Sequence, residues 1–572
     1  TGAQEQLYIE PQGVIARFDE QGGLTIWGSM QCPYYIHNAL KILFGLGDDD
    51  VRVIWCTTGG GFGGKEEYPS MISAHAALLA RKAKRPVKLI YDRTEDIRAT
   101  TKRHPSRTTH RTAVDADGRL LAIDVDFVID AGAYMTLSPV VLSRGAIHAA
   151  GPYACENVRI RARAVATNFP PYGAFRGFGA PQSLFAAERQ MDRVAKHLGL
   201  EPEELRRRNF LTLGDITATS QTLREEPDFP GLLARAKEES SYDEKRRAYD
   251  AHNRHGTSVK KGIGLATFYH GAGFTGSGEV YLSSIAAVRA RTDGSVEVLA
   301  ASTEIGQGTM TIFSQIAAEA LGIAYDSVSV AAPDTALVPN SGPTVASRTT
   351  MVVGKLVERA AADLLRKLQG ASLLGESYDD ATFRNACRQY IERHGELRGE
   401  AQYEPPPNIV WDDQLYRGDA YGTYAWAVYV AEVEVDTVTY ESRVTNFVAA
   451  QEIGRVVHPT LAAGQIEGGV AQAIGYSLYE KVVTKDGRVI NPQMTNYIMP
   501  TSLDVPPIRV FFVEKPYAYG PGGAKGIGEL PFDGPAPAIM AAIEHATGVS
   551  LDSIPTLPED LMRAFGEGGA HD

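Results

Sequence analysis

The chain has 572 residues, 44% of them hydrophobic and 22% charged, which is enough for several globular cores. Its 57 lysines and arginines against 69 aspartates and glutamates give a net charge of −12, which argues against nucleic acid as a partner. No apolar run reaches the about eighteen residues of a membrane span, and the cysteines are too widely spaced for a disulfide framework or a zinc or iron–sulfur site. No signal peptide is recognisable, and we expect a protein of the reducing cytoplasm.

The first predicted elements are short strands and helices that lead to a glycine-rich loop. Residues 1–34 resemble short strands, a helix is expected from Ile36 to Leu46, and the apolar run from Val51 to Cys56 is typical of a buried strand. The loop that follows, from Gly59 to Glu66, has five glycines within six positions. Its backbone can take positive φ and lie against a large polar group, and its consecutive N–H groups suit an anion.

The sequence of this glycine loop is consistent with three interpretations. A nucleotide P-loop fits, except that Glu66 stands where that motif needs Ser or Thr to hold magnesium. A dinucleotide-binding turn also fits, because a helix and then a strand from Val87 to Tyr91 follow. Pro69, however, suits the first turn of a helix from Ser70 to Ala83, too far along the chain for the glycines to place a pyrophosphate at its start. The third interpretation is a loop that only packs tightly.

The remaining elements of the first half end in a charged connector. The basic run from Lys102 to Arg111 is expected to be solvated or to face a partner. Residues 115–118 are typical of a hairpin turn, and the stretch from Val158 to Thr167 alternates as a strand. A second glycine-rich loop, residues 173–182, opens a helix that runs to Leu198. The charged, helical residues 228–255 then connect this half to the next.

The second half is predicted to begin near Lys260 and to mix strands, hairpins and helices. Its expected elements are a hairpin at residues 292–294, helices at 311–321, after 347–350, at 378–395 and at 465–480, strands between 424 and 449, and a glycine-rich loop at 522–531. This irregular alternation predicts an α+β fold of two similar-sized halves, residues 1–255 and 256–572.

Several loops in both halves share one sequence pattern, in which glycines flank a single polar residue. These loops carry Gln31, Glu66, Arg176, Gln307 and Glu529. Together they predict a long polar cofactor held by backbone and side-chain amides where the two halves meet. No histidine, cysteine or aspartate cluster accompanies them, so a metal would have to arrive with its own organic ligands.

Six motifs in order carry a resemblance to a known family. They are Gln31-Cys32-Pro33, the glycine loop at Gly59, AFRGFGAPQ at Ala174, EIGQG at Glu304, PTVASRTT at Pro343 and GAKGIGELP at Gly523. The chain resembles the molybdenum hydroxylases, the xanthine dehydrogenase and aldehyde oxidase family, and specifically their molybdopterin-binding large subunit. The resemblance implies a molybdenum–molybdopterin cofactor, with its cytosine dinucleotide form left open.

The resemblance also implies partners. The family's large subunit has a smaller α/β domain ahead of the position of Gln4, which we expect on a separate chain or to have been removed. Iron–sulfur and flavin modules are expected on partner subunits, which would receive the electrons.

Residue roles follow from the same motifs. Glu529 resembles the general base that removes a proton during hydroxylation of an electron-poor carbon, a role that a buried carboxylate with a raised pKa would suit. Gln31 resembles the glutamine near the metal, and neither residue is expected to ligate it. The other implied cofactor contacts are Gly61, Phe62, Gly63, Arg176, Gln307, Val345, Ala346, Ser347 and Thr349.

The resemblance is closest to members that oxidise purines. Glu66 and Arg144 match the acidic and basic residues that grip the heterocycle, and Phe178 and Phe274 match the aromatic pair that sandwiches it. Carbon monoxide-oxidising members carry a cysteine-bearing loop where this chain has residues 175–177, so that activity is disfavoured. The implied reaction is hydroxylation of a xanthine- or hypoxanthine-like purine with water.

Other interpretations remain open. The chain could act on an aldehyde or another N-heteroaromatic, serve as a non-catalytic cofactor carrier, or be a nicotinamide-binding dehydrogenase. At the level of residues, Glu529 could be a helix N-terminal charge, Arg144 a surface ion pair, Arg176 a salt bridge within its loop, and Phe62 a packed interior ring.

Overall fold

A computed structural model describes residues 1–568 as an α+β protein. The strands are β1 (Gly13–Phe18), β2 (Leu24–Gly28), β3 (Val51–Trp55), β4 (Val87–Ile90), β5 (Ser106–Val114), β6 (Leu120–Gly132), β7 (Val158–Ala166), β8 (Val259–Gly271), β9 (Ile285–Ala290), β10 (Val296–Leu299), β11 (Val328–Val330), β12 (Arg398–Gln402), β13 (Trp411–Asp412), β14 (Arg417–Gly418), β15 (Tyr424–Asp436), β16 (Ser442–Glu452), β17 (Thr484–Lys485), β18 (Arg488–Val489) and β19 (Ile508–Val513).

The helices are α1 (Pro33–Phe44), α2 (Tyr68–Ala83), α3 (Arg93–Ala99), α4 (Ser138–His148), α5 (Ala180–Leu198), α6 (Pro202–Asn209), α7 (Phe229–Ser240), α8 (Tyr242–Arg254), α9 (Gly278–Leu282), α10 (Thr309–Leu321), α11 (Gly354–Gly370), α12 (Asp380–His394), α13 (Pro459–Leu478), α14 (Leu530–Asp533), α15 (Pro535–Thr547) and α16 (Pro558–Gly568). A π-helical turn, Thr349–Val353, leads into α11.

The first sheet brings two of the predicted loops together. Its strand order is β3-β2-β1-β4, and β2 and β3 run parallel with Leu24 opposite Val51. Because the carboxyl ends of parallel strands meet at one edge of a sheet, the residues after β2 and those after β3 emerge side by side. The loop with Gln31 therefore lies against the glycine loop at 59–66.

Three further sheets of three or four strands complete the architecture. The orders are β5-β6-β7, β11-β10-β9-β12 and β19-β16-β15-β8. The last is the centre of the molecule, since β8 and β15 pair over thirteen residues each and both strands are almost wholly buried. Helix α15 packs along β8, and the two-residue pairs β13–β14 and β17–β18 lie outside these sheets.

Two glycines of β8 allow the backbone of α15 to approach closely. A Cβ atom at Gly264 would lie 2.3 Å from the amide nitrogen of Ala542 and 2.5 Å from the carbonyl oxygen of Ala538. Both neighbours are backbone atoms of a packed helix, so they cannot move aside cheaply. Gly262 is as tight, with Ala542 O at 1.9 Å from its would-be Cβ.

We expect Gly264→Ala to lower the free energy of unfolding by about 2–3 kcal/mol, because overpacking a close-packed core forces the backbone apart. Gly370→Ala, at the end of α11 with no atom within 4 Å of its would-be Cβ, is the matched control and should change stability little. Urea unfolding of the two variants measures the difference. Equal free energies of unfolding for the two variants would mean that β8 and α15 are not close-packed at Gly264.

The α+β fold class is confirmed, and the predicted elements differ from the structure mainly at their ends. Helix α1 begins at Pro33 and α2 at Tyr68, each slightly earlier than predicted, because a proline occupies the first helical turn. Helix α13 begins at Pro459 rather than Gln465 for the same reason. The hairpin at 115–118 joins β5 to β6 as expected. The division into halves at residue 255 stays a prediction.

The prediction for the basic run is wrong over residues 102–104, which are buried. The Lys102 ammonium lies 2.7 Å from Glu5 Oε2, and the Arg103 guanidinium lies 4.0 and 4.2 Å from the ring centroids of Phe175 and Phe532. These partners are distant in the sequence, so the local pattern could not reveal that the charges are paired in the interior. The later arginines of the run are exposed, as expected. No helix within the described residues is long and apolar enough to cross a membrane.

Candidate active site

A cavity of about 400 Å³ lies where the predicted loops converge. It is lined by most of the residues singled out from the sequence: Gln31, Gly61, Phe62, Gly63, Glu66, Arg176, Phe178, Gln307, Val345, Ala346, Ser347, Thr349 and Glu529. Arg144 and Phe274 lie outside this lining. The convergence of loops from both ends of the chain agrees with the prediction of a single extended site.

The Gln31 side chain joins two segments of the cavity wall that are far apart in the sequence. Its Oε1 accepts hydrogen bonds from the N–H groups of Gly63 at 3.0 Å and Lys65 at 3.3 Å, and its Nε2 donates to the carbonyl of Thr344 at 3.0 Å. A Cβ at Gly61 would stand 2.6 Å from Gln31 Oε1, so glycine is required for this contact. Gln31 thus fixes the glycine loop against the loop at 344–349.

The nucleotide interpretations of the glycine loop do not agree with this geometry. Lys65 is buried, and its ammonium pairs with Glu10 Oε2 at 2.8 Å rather than facing the cavity as a phosphate-binding lysine would. Helix α2 begins at Tyr68, so its N-terminus does not follow directly on the glycines. Phe62 is 40% exposed with φ at 55°, which excludes the packed-interior alternative for this ring.

Two backbone segments present free donors to the cavity. The amide N–H groups of residues 345–347 and of residues 526–528 donate no hydrogen bond within the part of the chain that the structure describes. The segments touch, since a Cβ at Gly526 would lie 1.8 Å from the carbonyl oxygen of Ser347. Ala346 and Ser347 both have φ between 50° and 60°, which turns successive amides in one direction. Such a cradle suits an anionic or strongly polar group.

Arg176 and Gln307 shape two other walls. The Arg176 guanidinium donates to the carbonyls of Gly528 at 2.5 Å and Gln465 at 2.7 Å, so it braces the Glu529 loop and forms no ion pair within its own loop. Burial lowers its pKa to about 10, which still leaves it charged. Gln307 Oε1 accepts a hydrogen bond from Ile305 N–H at 2.7 Å, and Gln307 Nε2 donates to the Thr303 carbonyl at 3.0 Å. These bonds fix the turn before α10.

Glu529 is a buried carboxylate surrounded by donors. Ser347 Oγ donates to its Oε2 at 2.9 Å, and an Arg144 nitrogen lies 3.2 Å from Oε1 and 3.1 Å from Oε2. Burial raises the pKa of this carboxyl, but Arg144, His270 and Ser347 outweigh burial and hold it well below its usual value. The raised pKa that would suit a base is therefore not found, and the sequence did not show these donors. The alternative role of Glu529 as a helix N-terminal charge has little support, because the helix that follows it, α14, has only four residues.

Arg144 is fully buried on α4, so the surface ion pair considered for it is excluded. Its second nitrogen donates to the carbonyl of Gly273 at 2.8 Å, and its guanidinium lies 5.4 Å from the Phe178 ring centroid. Arg144 thus links Glu529, the aromatic Phe178 and the segment that carries Phe274. It reaches the cavity through these contacts rather than as a wall residue.

The other predicted substrate residues divide between two places. Glu66 lies in the cavity lining, and burial, with Glu67 and Glu529 nearby, raises its pKa well above the usual value. One of its oxygens is buried and has no hydrogen-bond partner among the residues that the structure describes. Phe274 lines a neighbouring cavity of about 70 Å³ and lies 5.9 Å from the Arg348 guanidinium. The aromatic pair therefore does not line one cavity in this structure.

Sequence reasoning missed three buried ionisable residues around the Glu529 loop. Lys525 contacts Glu452 Oε2 at 2.8 Å and anchors the loop to β16. Asp533, one helical turn after Glu529, and His270 on β8 contact each other behind Glu529. The spacing of four residues between the two acids was a usable signal, whereas His270 stands alone in its stretch of sequence.

The residues present fit a large polar cofactor with its own metal ligands. Free backbone N–H groups on two sides, the glycine loop and the amide of Gln31 supply donors and close backbone approach for a pterin-type group. Within the described chain, no group of three or more His, Cys, Asp or Glu side chains could hold a metal ion by itself. Both facts agree with a metal that arrives bound to an organic ligand.

Comparison with known proteins gives the same answer. The molybdopterin cofactor-binding domain family matches residues 1–210 and 235–506. A probable xanthine dehydrogenase subunit of Bacillus subtilis is 32% identical over 591 residues, which cover 99% of this chain and 76% of that protein. "Nicotinate hydroxylase hnxS" of Emericella nidulans is 31% identical over 588 residues, covering 100% of this chain and 42% of that longer protein.

A solved structure extends the likeness to the fold. Quinoline 2-oxidoreductase from Pseudomonas putida 86 superposes with a TM-score of 0.89 at 28% identity, over 99% of this chain and 75% of that one. The chain spans less than half of the length of the longer relatives that it matches. The chain belongs to the xanthine dehydrogenase and aldehyde oxidase family of molybdenum hydroxylases, as the molybdopterin-binding subunit of an oxidoreductase.

Proposed function

We propose that this subunit hydroxylates an N-heteroaromatic ring, with a xanthine- or hypoxanthine-like purine as the lead substrate and water as the oxygen source. The observation that carries the proposal is the buried Glu529 carboxylate, which lines the cofactor cavity and is held by Arg144 and Ser347. A subunit that only carried a cofactor would have no use for an ionised carboxylate at this point.

The cofactor would be held by the two free amide segments, 345–347 and 526–528, and by the glycine loop with Gln31. When bound, the molybdenum cofactor supplies two-electron oxidation of the substrate carbon. The pterin form, with or without a cytosine dinucleotide, is left to chemical analysis. Arg176 keeps the Glu529 loop in place through its bonds to Gly528 and Gln465.

Glu529 acts as the general base in this proposal. Its depressed pKa keeps the carboxylate ionised at neutral pH, so the proton-accepting form is present, while the contacting cations also make it a weaker base than a free carboxylate. Oε2 is held by Ser347 and Arg144, whereas Oε1 contacts Arg144 alone, so Oε1 is the less restrained acceptor. A proton accepted there prevents positive charge from building up on the oxygen that attacks the ring.

Substrate recognition is proposed for Glu66, Arg144 and Phe178. Because Glu66 has a raised pKa and an unpartnered oxygen, it is suited to donate a hydrogen bond to a ring nitrogen. Arg144 lies behind the cavity lining, and its Nε is buried without a hydrogen-bond partner among the described residues. This donor would meet a carbonyl oxygen that gains negative charge during attack, while Phe178 stacks on the ring. Phe274 lines the neighbouring cavity and has no part in this stacking.

An aldehyde or a different N-heteroaromatic is the second candidate substrate. The names of similar proteins include both classes, since one is a nicotinate hydroxylase, another a quinoline oxidoreductase and a third an aldehyde oxidoreductase. Iron–sulfur and flavin subunits are proposed as the electron-accepting partners, because one similar protein is itself named a subunit.

Metal analysis, partner purification and a substrate screen test the proposal. We expect about one molybdenum per chain, co-purification of a subunit with an iron–sulfur cluster, and turnover of purines above nicotinate, quinoline and aldehydes. Molybdenum without turnover of any substrate would support a carrier subunit. Bound nicotinamide without molybdenum would contradict both the cofactor and the reaction.

A further inference from the structure

A buried imidazole stands between two carboxylates behind the cavity. Glu529 immediately precedes α14 and Asp533 ends it, so the two acids lie one helical turn apart on the same side. His270, near the end of β8, occupies the gap between them. Its Nδ1 lies 2.7 Å from Asp533 Oδ2 and its Nε2 lies 3.5 Å from Glu529 Oε2. All three side chains are buried, and neither His270 nor Asp533 lines the cavity.

The contacts of His270 indicate where its protons lie. Nδ1–H donates to Asp533, so Nε2 is the atom turned to Glu529, and within the described part of the chain it has no hydrogen bond of normal length. In a neutral ring, a bare lone pair would face a carboxylate oxygen. A proton on Nε2 replaces that repulsion by attraction. Burial lowers the pKa of His270, but Asp533 and Glu529 outweigh burial and raise it to about 9.

The ring stacked on His270 is neutral and therefore does not oppose a positive charge on His270. His148 of α4 stacks on it at 5.2 Å between centroids. The Nδ1–H of His148 donates to the Arg144 carbonyl at 2.7 Å, and its Nε2 accepts from Gly271 N–H at 3.3 Å, which defines a neutral ring. Burial lowers the pKa of His148 well below the usual value.

Two arginines lie beyond the carboxylates. Arg144 contacts Glu529, and Arg103 lies near Asp533. Burial raises the pKa of Asp533 to about 6, with His270 and Arg103 opposing the rise and Glu529 adding to it. At neutral pH the cluster therefore alternates anion and cation from Asp533 through His270 and Glu529 to Arg144.

We propose that His270, held by Asp533, is a positioning residue that fixes one oxygen of Glu529 and keeps this carboxylate ionised for proton acceptance. The inference rests on the proposed role of Glu529 as the base. When Glu529 accepts a proton, His270 keeps both of its own, and the neutral acid then stands between two cations. Their positive charge favours release of the new proton, which restores the ionised carboxylate for the next turnover.

The first test is a histidine titration that does not depend on activity. In NMR spectra of the purified protein with isotope-labelled histidine, one of the 13 histidines should stay protonated on both nitrogens until about pH 9. Its signal is assigned as the one missing from His270→Gln, or as the one that moves in Glu529→Gln if the first variant does not fold. Asp533→Asn should lower its midpoint by about one to three pH units.

The matched control for this titration is Asp250→Asn. Asp250 Oδ1 lies 3.2 Å from the His545 ring nitrogen, at a histidine–carboxylate pair away from the cavity. This change should leave the His270 signal unmoved. A His270 that is already neutral at neutral pH would contradict the proposal, whatever the activity of the variants.

The second test is the pH profile of kcat/KM. His270→Gln and Asp533→Asn should each move the acid limb to higher pH, by about one unit or more, and the double variant should add little because Asp533 acts through His270. Asp250→Asn should leave the limb in place. A charged His270 with an unmoved limb would show that it does not act on Glu529. Full activity of Glu529→Gln would instead overturn the base assignment and leave the titration result standing.

Discussion

Glu529→Gln should leave the molybdenum content of the purified protein unchanged and lower turnover by about a hundredfold to ten-thousandfold. The amide has the same shape and still accepts from Arg144 and Ser347 through its oxygen, so the loop should keep its place. It cannot accept a proton at neutral pH. Steady-state turnover together with metal analysis of the same preparation measures both quantities.

Glu432→Gln is the matched control for this loss. Glu432 is a buried carboxylate that pairs with Lys245 at 2.6 Å, and it does not line the cavity. Its substitution should cost stability and leave turnover per molybdenum nearly unchanged. If Glu529→Gln kept more than a small fraction of parental turnover, another group would have to be the base.

Arg144→Met should lower purine turnover strongly and change the preference between substrates. A charge-assisted contact to a developing oxyanion is worth on the order of 2–3 kcal/mol, or about thirtyfold to more than a hundredfold in rate. A simple aromatic aldehyde has no such carbonyl beside the reacting centre. Both substrates should suffer from the loss of the Arg144–Glu529 pair, so the ratio of purine to aldehyde turnover isolates the substrate contact.

Arg144→Met should also destabilise the fold in a pH-dependent way. Removing one partner of a buried ion pair commonly costs about 3–5 kcal/mol. The pKa of Glu529 is depressed below its usual 4.5, so the pair's contribution is present above about pH 4.5 and is lost as the pH falls toward the folded-state pKa. The stability gap to the parent should therefore be full at pH 7 and narrow in acid.

Arg206→Met separates the two effects of the Arg144 change. Arg206 is a fully buried arginine that pairs with Glu188 at 3.0 Å outside the cavity lining. Its loss should destabilise the protein without changing the purine-to-aldehyde ratio. An unchanged ratio in Arg144→Met as well would remove the main support for a purine substrate.

Local sequence signals predicted the elements whose causes are local. The glycine loop, the turn at 115–118 and helix α5 depend on glycine, on an Asp-Gly pair and on helical spacing, and all three occur where expected. The motif order also located most of the cavity lining. These features need no knowledge of distant partners.

The electrostatics of the site could not be predicted in the same way. Arg144 and Glu529 are 385 residues apart, and no spacing rule connects them. Burial alone would raise the pKa of Glu529, whereas the contacting cation, which the sequence does not reveal, decides the direction of the shift. The burial of Arg103 could not be predicted for the same reason, because one of the aromatic rings that contact its guanidinium belongs to Phe532, more than four hundred residues away.

The wide sequence separation of the cavity walls has a consequence for biosynthesis. The Gln31 amide bonds the Thr344 carbonyl across 313 residues, and Ser347 bonds Glu529 across a further 182. Nearly all of these 572 residues must therefore be synthesised before the walls of the cavity can assemble around the cofactor. Insertion of the cofactor is then a late, post-translational step on an almost finished fold. Neither half produced alone should retain the pterin, and loading should protect loops at both ends of the chain from proteases at once.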